Sequence, residues 1–184
     1  MTVVVNLFGS AGSGKSTTAL GLCYFLKLQG YKVEYVSEYA KDLVNEGSIH
    51  KLKHQLYVFS KQLKRMEVLV DKELDFIITD SPILLSYFYG EKYGTSGPLL
   101  GELVNAYHKS FVNFNVFLTR AFPYDPKLRV QTENESDQDS IDLRQFLSNN
   151  NLYLDMSIGT TEGRVESVLN TLLTRYKNYA NKTV

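Results

Sequence analysis

The sequence predicts a three-layer α/β/α sandwich built on a parallel sheet. Three observations predict it. Short apolar, β-branched stretches alternate with stretches of helical periodicity along the whole chain. A glycine-rich segment joins the first apolar stretch directly to a helix. The length of 184 residues fits one domain, spanning 1–184, with little left for a second. Alternating strands and helices imply parallel strands joined by right-handed helical crossovers.

Taken in order, residues 2–8 (TVVVNLF) read as a buried strand. GSAGSGKS follows, then apolar periodicity from about 16 to 29, closed by Gly30. Residues 32–37 form a second strand, and 39–47 a short helix ended by Gly47. In 51–73, Leu52, Leu56, Phe59, Leu63, Met66 and Val70 recur three or four apart, which predicts one long helix. DFIITD (75–80) is a third buried strand. Residues 81–97, with Pro82 and three glycines, read as helix plus loop. A helix over 98–112 and a fourth strand over 116–120 come next. Residues 121–137 lack periodicity and contain Pro123 and Pro126, which predicts a loop. A helix over 138–148, a short strand over 152–158 and an amphipathic helix over 160–179 complete the chain.

Composition narrows the function classes. Lys+Arg and Asp+Glu both number 20, so a basic, polyanion-coating protein is excluded. No apolar run reaches the roughly 18–20 residues that cross a bilayer. The N-terminus has no charged segment before its apolar stretch, so no secretory leader is expected. The single cysteine, Cys23, cannot make an internal disulfide or a multi-cysteine metal site. A cytoplasmic protein that binds no membrane is the expectation, as a monomer or small homo-oligomer.

Gly9-Ser10-Ala11-Gly12-Ser13-Gly14-Lys15-Ser16 fits G-x-x-x-x-G-K-[ST] at every fixed position. Glycines let the backbone curl so that successive N–H groups face phosphate oxygens. The helix that starts there adds its N-terminal dipole. Lys15 would reach the β- and γ-phosphates, and the Ser16 hydroxyl would ligate Mg²⁺. ATP would sit on Gly9–Thr17, Thr17 closing the segment.

Asp80 ends the third strand, where a carboxylate beside such a loop can hold Mg²⁺. The plainer alternative is a helix cap ahead of Pro82. Glu38 ends the second strand on the same sheet edge, where open parallel sheets bind ligands. It could take the proton of an attacking hydroxyl or grip a sugar hydroxyl; otherwise it is a first-turn Glu of the next helix. Arg120 and Arg129, and less so Lys127, lie in the segment after strand four, placed to stabilise a transferring phosphoryl group unless that segment is merely solvated. Tyr39, Tyr87, Tyr89 and Tyr93 could stack a flat base, although packing is the simpler role for each.

With these segments placed, the chain resembles a family of P-loop kinases: the ribosylnicotinamide-kinase domain of NadR and its relatives, many of them phage-encoded. The likeness rests on the glycine-rich loop, on Glu38-Tyr39-Ala40-Lys41, on Asp80-Ser81-Pro82, and on the stretch from Tyr124 to Arg129. It covers roughly residues 2–158. Two positions depart from the family's habit: Lys41 stands where Arg is more usual, and Asp80-Ser81-Pro82 has no second acid. The resemblance implies the P-loop NTPase fold with strand order 2-3-1-4-5, a lid after strand four, and ATP with Mg²⁺ as cofactors. It further implies a nucleoside- or nucleotide-like acceptor, or a hydroxymethylated pyrimidine already in DNA.

The expected activity is transfer of the γ-phosphate of ATP to an acceptor hydroxyl, with Asp80 or Glu38 handling that hydroxyl. Six Lys/Arg in 50–72 would support DNA as the substrate; a solvated helix face explains them as well. The alternative of another class is a P-loop ATPase or GTPase switch with no phosphorylated acceptor. A GTPase base-reading N-K-x-D is lacking, since Asn181-Lys182 has no following Asp.

Overall fold

The computed structural model describes residues 2–70, 72–95, 97–127 and 129–180, the last four by backbone alone. Asp71 in the expected long helix, Leu128 in the expected lid, and the Asn181-Lys182 pair lie outside the described residues.

The chain runs β1 (Val3–Phe8), α1 (Lys15–Leu28), β2 (Val33–Val36), α2 (Tyr39–Asn45), a 3-10 segment (Ile49–Lys53), α3 (Gln55–Val70), β3 (Phe76–Thr79), α4 (Leu84–Lys92), α5 (Pro98–Ser110), β4 (Val112–Leu118), α6 (Glu133–Asn149), β5 (Met156–Ile158) and α7 (Arg164–Ala180). The five strands are all parallel, in the order β2-β3-β1-β4-β5. β1 lies at the centre, with Val3 opposite Phe76 on one side and Val112 on the other.

Side-chain alternation along β1 builds both layers. Val3, Val5 and Leu7 face a core shared with Ala19, Leu22 and Leu26 of α1 and Val168 and Leu172 of α7. Val4 and Phe8 face a second core, with Phe59 and Met66 of α3, Phe88 of α4, Val104 of α5 and Leu147 of α6. Each large aliphatic side chain so enclosed contributes about 1.5–3 kcal/mol. α1 stops where the sequence says it should: Gly30 takes φ 87°, its N–H reaches Lys27 O, and the Tyr31 N–H reaches back to Leu26 O. No helix among the described residues is long and apolar enough to cross a membrane.

Several boundaries differ from the expectation, and four of the differences have a visible consequence or cause. The long helix over 51–73 is broken at His54: residues 49–53 wind as a 3-10 segment, and α3 starts at Gln55. β4 starts at Val112 instead of residue 116, because Asn113 and Asn115 interrupt the apolar pattern. These two amides face Asn6 on β1, whose Nδ2 donates to Asn113 Oδ1 (2.8 Å) and Asn115 Oδ1 (3.0 Å). Asn113 Nδ2 in turn donates to His108 O and Phe111 O at the end of α5. α6 starts at Glu133 instead of 138, held by a capping box in which Thr132 and Glu135 satisfy each other's backbone N–H. β5 is confined to 156–158, since the Asp155 carboxylate takes the Asn115 N–H that an earlier ladder residue would need.

Candidate active site

The glycine-rich loop leaves the carboxyl end of β1 and enters α1. It lies between β1 and β4, whose connections leave in opposite directions, β1 towards β2 and β4 towards β5, the place at which open α/β sheets bind ligands. Gly9 has no alternative residue: a Cβ there would stand 2.5 Å from both Leu118 O and Ser13 Oγ. At Gly14, φ is 87°, and a Cβ would meet the Phe122 ring at 2.9 Å and Arg164 Nη1 at 3.0 Å. α1 begins with Gly14 as N-cap, without a side-chain cap and without an acid in its first turn. Its first N–H groups are therefore available to an anion.

Lys15 curls back over the loop and donates to Gly9 O (2.7 Å) and Ser10 O (2.9 Å). Burial pulls its pKa below the usual lysine value, against the pull of Glu38 and Asp80. Ser16 Oγ donates to Asp80 Oδ2 at 2.5 Å. Asp80 is fully buried, and its other oxygen, Oδ1, has no hydrogen-bond partner among the described residues. Burial alone would push Asp80 up; the Ser16 hydroxyl, Lys41 and Tyr35 outweigh it and hold the carboxyl below its usual range. α4 starts at Leu84 with no side-chain cap, so Asp80 is not spent on that helix.

Glu38 occupies the N-cap position of α2, yet its side chain caps nothing. It lies 3.8 Å from Lys41 Nζ and keeps 27% of its side-chain exposure. Burial raises its pKa, although Lys15 and Lys41 pull the other way. Two carboxylates on one edge are thus pushed apart, Asp80 down and Glu38 up.

The segment after β4 lies over the loop. A Cβ on Gly12 would touch the Tyr124 ring at 3.3 Å. Arg120 and Arg129 flank that ring, with guanidinium carbons 5.2 and 5.5 Å from its centre. Arg120 is not free: it pairs with Glu133 (2.6 Å) and Asp137 at the start of α6. Arg129 donates to Asp125 O at 2.6 Å, and its charge reaches Lys15 and Glu38. α6 already begins at Glu133, so the cover is shorter than the loop over 121–137 that the sequence suggested.

The aromatic candidates divide. Tyr39 shares its hydroxyl with Tyr57 (2.6 Å) and carries Arg65 over its ring. Tyr87 packs edge-on to Phe146 in the core. Tyr89 and Tyr93 stack with ring centres 5.8 Å apart, and the Tyr89 phenol faces Glu38, Asp139 and Gln131. Of the basic residues in 50–72, Arg65 is committed to Ser37 and Asp42.

Four functional neighbours escaped the sequence reading. Lys41 had a place in a motif but no role; its ammonium contacts both Ser16 Oγ and Asp80 Oδ2, the latter at 3.0 Å. Tyr35 faces Asp80 and Ser16 from β2. Ser136 of α6 donates to Ala11 O at 2.6 Å and contacts Ser10 Oγ. Arg164, the first residue of α7, donates to Ser13 O at 2.6 Å. No pattern in the sequence marks the last two, which reach the loop from more than a hundred residues away.

Ser16 and Asp80 form an all-oxygen pair suited to a hard cation, and the unpaired Asp80 Oδ1 adds an acceptor. No group of three or more His, Cys, Asp or Glu suited to a metal occurs among the described residues. A Mg²⁺ ion here would therefore draw its other ligands from phosphate and water, as Mg²⁺ commonly does. The cavity of about 360 Å³ lined by Thr2, Val70, Glu73 and Phe111 lies at the opposite, amino-terminal edge of the sheet and has no part in this.

No protein-family model matches the sequence, and no curated protein does either. Solved structures do match. Thymidylate kinase from Ehrlichia chaffeensis superposes with a TM-score of 0.60 at 13% identity, over 95% of this chain and 98% of that one. The fold is shared with that kinase. The Mycobacterium tuberculosis APS kinase CysC, solved with AMPPNP and APS, gives a TM-score of 0.47 at 14% identity over 93% of this chain and 97% of that one. The order 2-3-1-4-5 with helices on both faces, expected from the family resemblance, is what the structure has. No finding singles out the NadR-type family.

Proposed function

We propose that this protein is an ATP-dependent phosphotransferase that moves the γ-phosphate of ATP to a hydroxyl of a nucleoside- or nucleotide-like acceptor. One observation carries the reading. The phosphate-binding loop, Lys15 and Ser16 face two carboxylates whose surroundings drive them to opposite protonation behaviour. Such a separation is how one site assigns a base and a fixed charge.

In this reading Gly9–Thr17 cradle the phosphates, and Lys15 leaves its two carbonyls to reach them. Ser16 and Asp80 would hold Mg²⁺, which neutralises charge on the phosphates when bound. Lys41 contacts the same two oxygens, so it must swing aside as they are taken up. Glu38, partly exposed and with a raised pKa, accepts the proton of the attacking hydroxyl. Arg129 approaches from the lid to stabilise the transferring group; Arg120 anchors the lid to α6 through Glu133 and Asp137. Tyr89 and Tyr93 offer a stacked aromatic wall on the acceptor side.

The test is incubation with γ-labelled ATP and Mg²⁺ over a panel of nucleosides (nicotinamide riboside among them), nucleoside monophosphates, and DNA with normal or hydroxymethylated pyrimidines. Label moving to one acceptor class supports the assignment and names the class. Label released only as free phosphate across the panel refutes it and favours an ATPase switch. Wild-type turnover in Lys15→Ala would also refute it.

A further inference from the structure

Arg164 is a buried cation with an unusual set of partners. It is 3% exposed. Its Nη1 donates to Ser13 O (2.6 Å), its Nη2 to Thr119 O (3.0 Å), and its Nε to Thr160 O (2.5 Å). It thereby ties the phosphate-binding loop, the end of β4 and the turn after β5 into one unit. Its guanidinium also lies over the Phe122 ring at 5.4 Å. It makes no ion pair with a carboxylate among the described residues, whereas Arg120 makes two. Neutral carbonyls satisfy the geometry of a guanidinium but not its charge, and a buried charge without a counter-ion is costly.

The position of the first contact matters. Ser13 O and Gly14 N belong to the same peptide unit. A charged donor on that oxygen draws electron density from the amide and makes the Gly14 N–H a stronger donor on the other side. Gly14 is the N-cap of α1, where the first N–H groups have no intrahelical partner and no side-chain cap.

We infer that Arg164 is a positioning residue that charges the phosphate-binding loop from beneath: through Ser13 O it fixes and polarises the Ser13–Gly14 peptide, and the phosphate seated above is its counter-ion. The inference rests on the reading of Gly9–Thr17 as a phosphate site. It makes anion affinity depend on a side chain that never touches the ligand.

The experiment is calorimetric titration with pyrophosphate and with ATP, paired with the ¹H–¹⁵N signal of Gly14. Wild type, Arg164→Met and Arg164→Lys are compared well below their melting temperatures. Arg164→Met should bind pyrophosphate about 10- to 100-fold more weakly, the worth of one charge-assisted hydrogen bond. The downfield movement of the Gly14 amide proton on binding should shrink with it. Arg164→Lys keeps the charge but not the three-way fork, and should fall between the two. Pyrophosphate affinity within about twofold of wild type in a folded Arg164→Met protein overturns the inference, whatever its melting temperature. Should Arg164→Met not fold, wild-type affinity in Arg164→Lys overturns it instead. If wild-type protein binds neither pyrophosphate nor ATP, the kinase reading falls and the inference with it. If wild type binds and the variants match it, the inference alone falls.

Discussion

His108 should give this protein an acid-sensitive stability that one substitution removes. It sits in the last turn of α5, only 6% exposed. A helix C-terminus ordinarily favours a protonated histidine. Here burial dominates, Lys109 adds repulsion, and the pKa falls from 6.5 to about 4. The unfolded chain thus takes up a proton before the folded one does. Stability from neutral His108 is intact above the unfolded pKa and is lost as pH falls from 6.5 towards about 4. A shift of about 2.5 units corresponds to about 3 kcal/mol in full, and about 2 kcal/mol of it is gone by about pH 5. His108→Gln keeps polarity and cannot titrate. Urea unfolding followed by circular dichroism should be run on both proteins at about pH 7.5 and about pH 5. Wild type should lose about 2 kcal/mol more than the variant between the two conditions. Other titrating groups contribute equally to both and cancel. Parallel losses in the two proteins would refute the argument that burial keeps this ring neutral.

Four further outcomes are expected. Asp80→Asn should lower stability by about 1–3 kcal/mol at neutral pH, because its carboxylate is held below its usual range by Ser16 and Lys41. That deficit should shrink in acid, below the ordinary value of 3.8, where wild type loses the same charge; thermal melts against pH measure it. Lys15→Met should raise the melting temperature while ending nucleotide binding, since burial opposes the lysine's charge in the folded protein; scanning fluorimetry with and without ATP separates the two effects. Glu38 should give the kcat/KM profile an acid limb above the usual carboxylate range, and Glu38→Gln should abolish that limb along with most turnover, by about 100-fold or more. Leu22→Ala, at a site with no exposure between α1 and the sheet, should cost about 2–5 kcal/mol in urea unfolding without altering the pH behaviour.

What could be read from the sequence was local. The phosphate loop declares itself because its chemistry needs eight consecutive residues, and the strand before it and helix after it are equally local. The long apolar strands and the α1 and α5 helices follow from periodicity for the same reason. The reading failed where a polar residue answers to something distant. Asn113 and Asn115 fall outside the expected strand, which began at residue 116, because their partner, Asn6, is more than a hundred positions earlier. The start of α6 was hidden by its acids, although Thr132 and Glu135 stood at capping-box spacing; Glu133 and Asp137 are there to meet Arg120. The braces from Ser136 and Arg164 carry no local signal at all.

The three asparagines between β1 and β4 have an evolutionary consequence. Asn6 gives hydrogen bonds to two amides at once, and those amides are tied to α5 and to Tyr153 O beyond β4. Changing Asn6 alone to an aliphatic residue strands one buried acceptor, on Asn115, and one half-buried acceptor, on Asn113; changing either neighbour alone strands a donor. Every single step away from the trio passes through a less stable protein, while replacing all three together with apolar residues need not. Homologous sequences should therefore carry either the whole trio or none of it, and intermediate combinations should be rare.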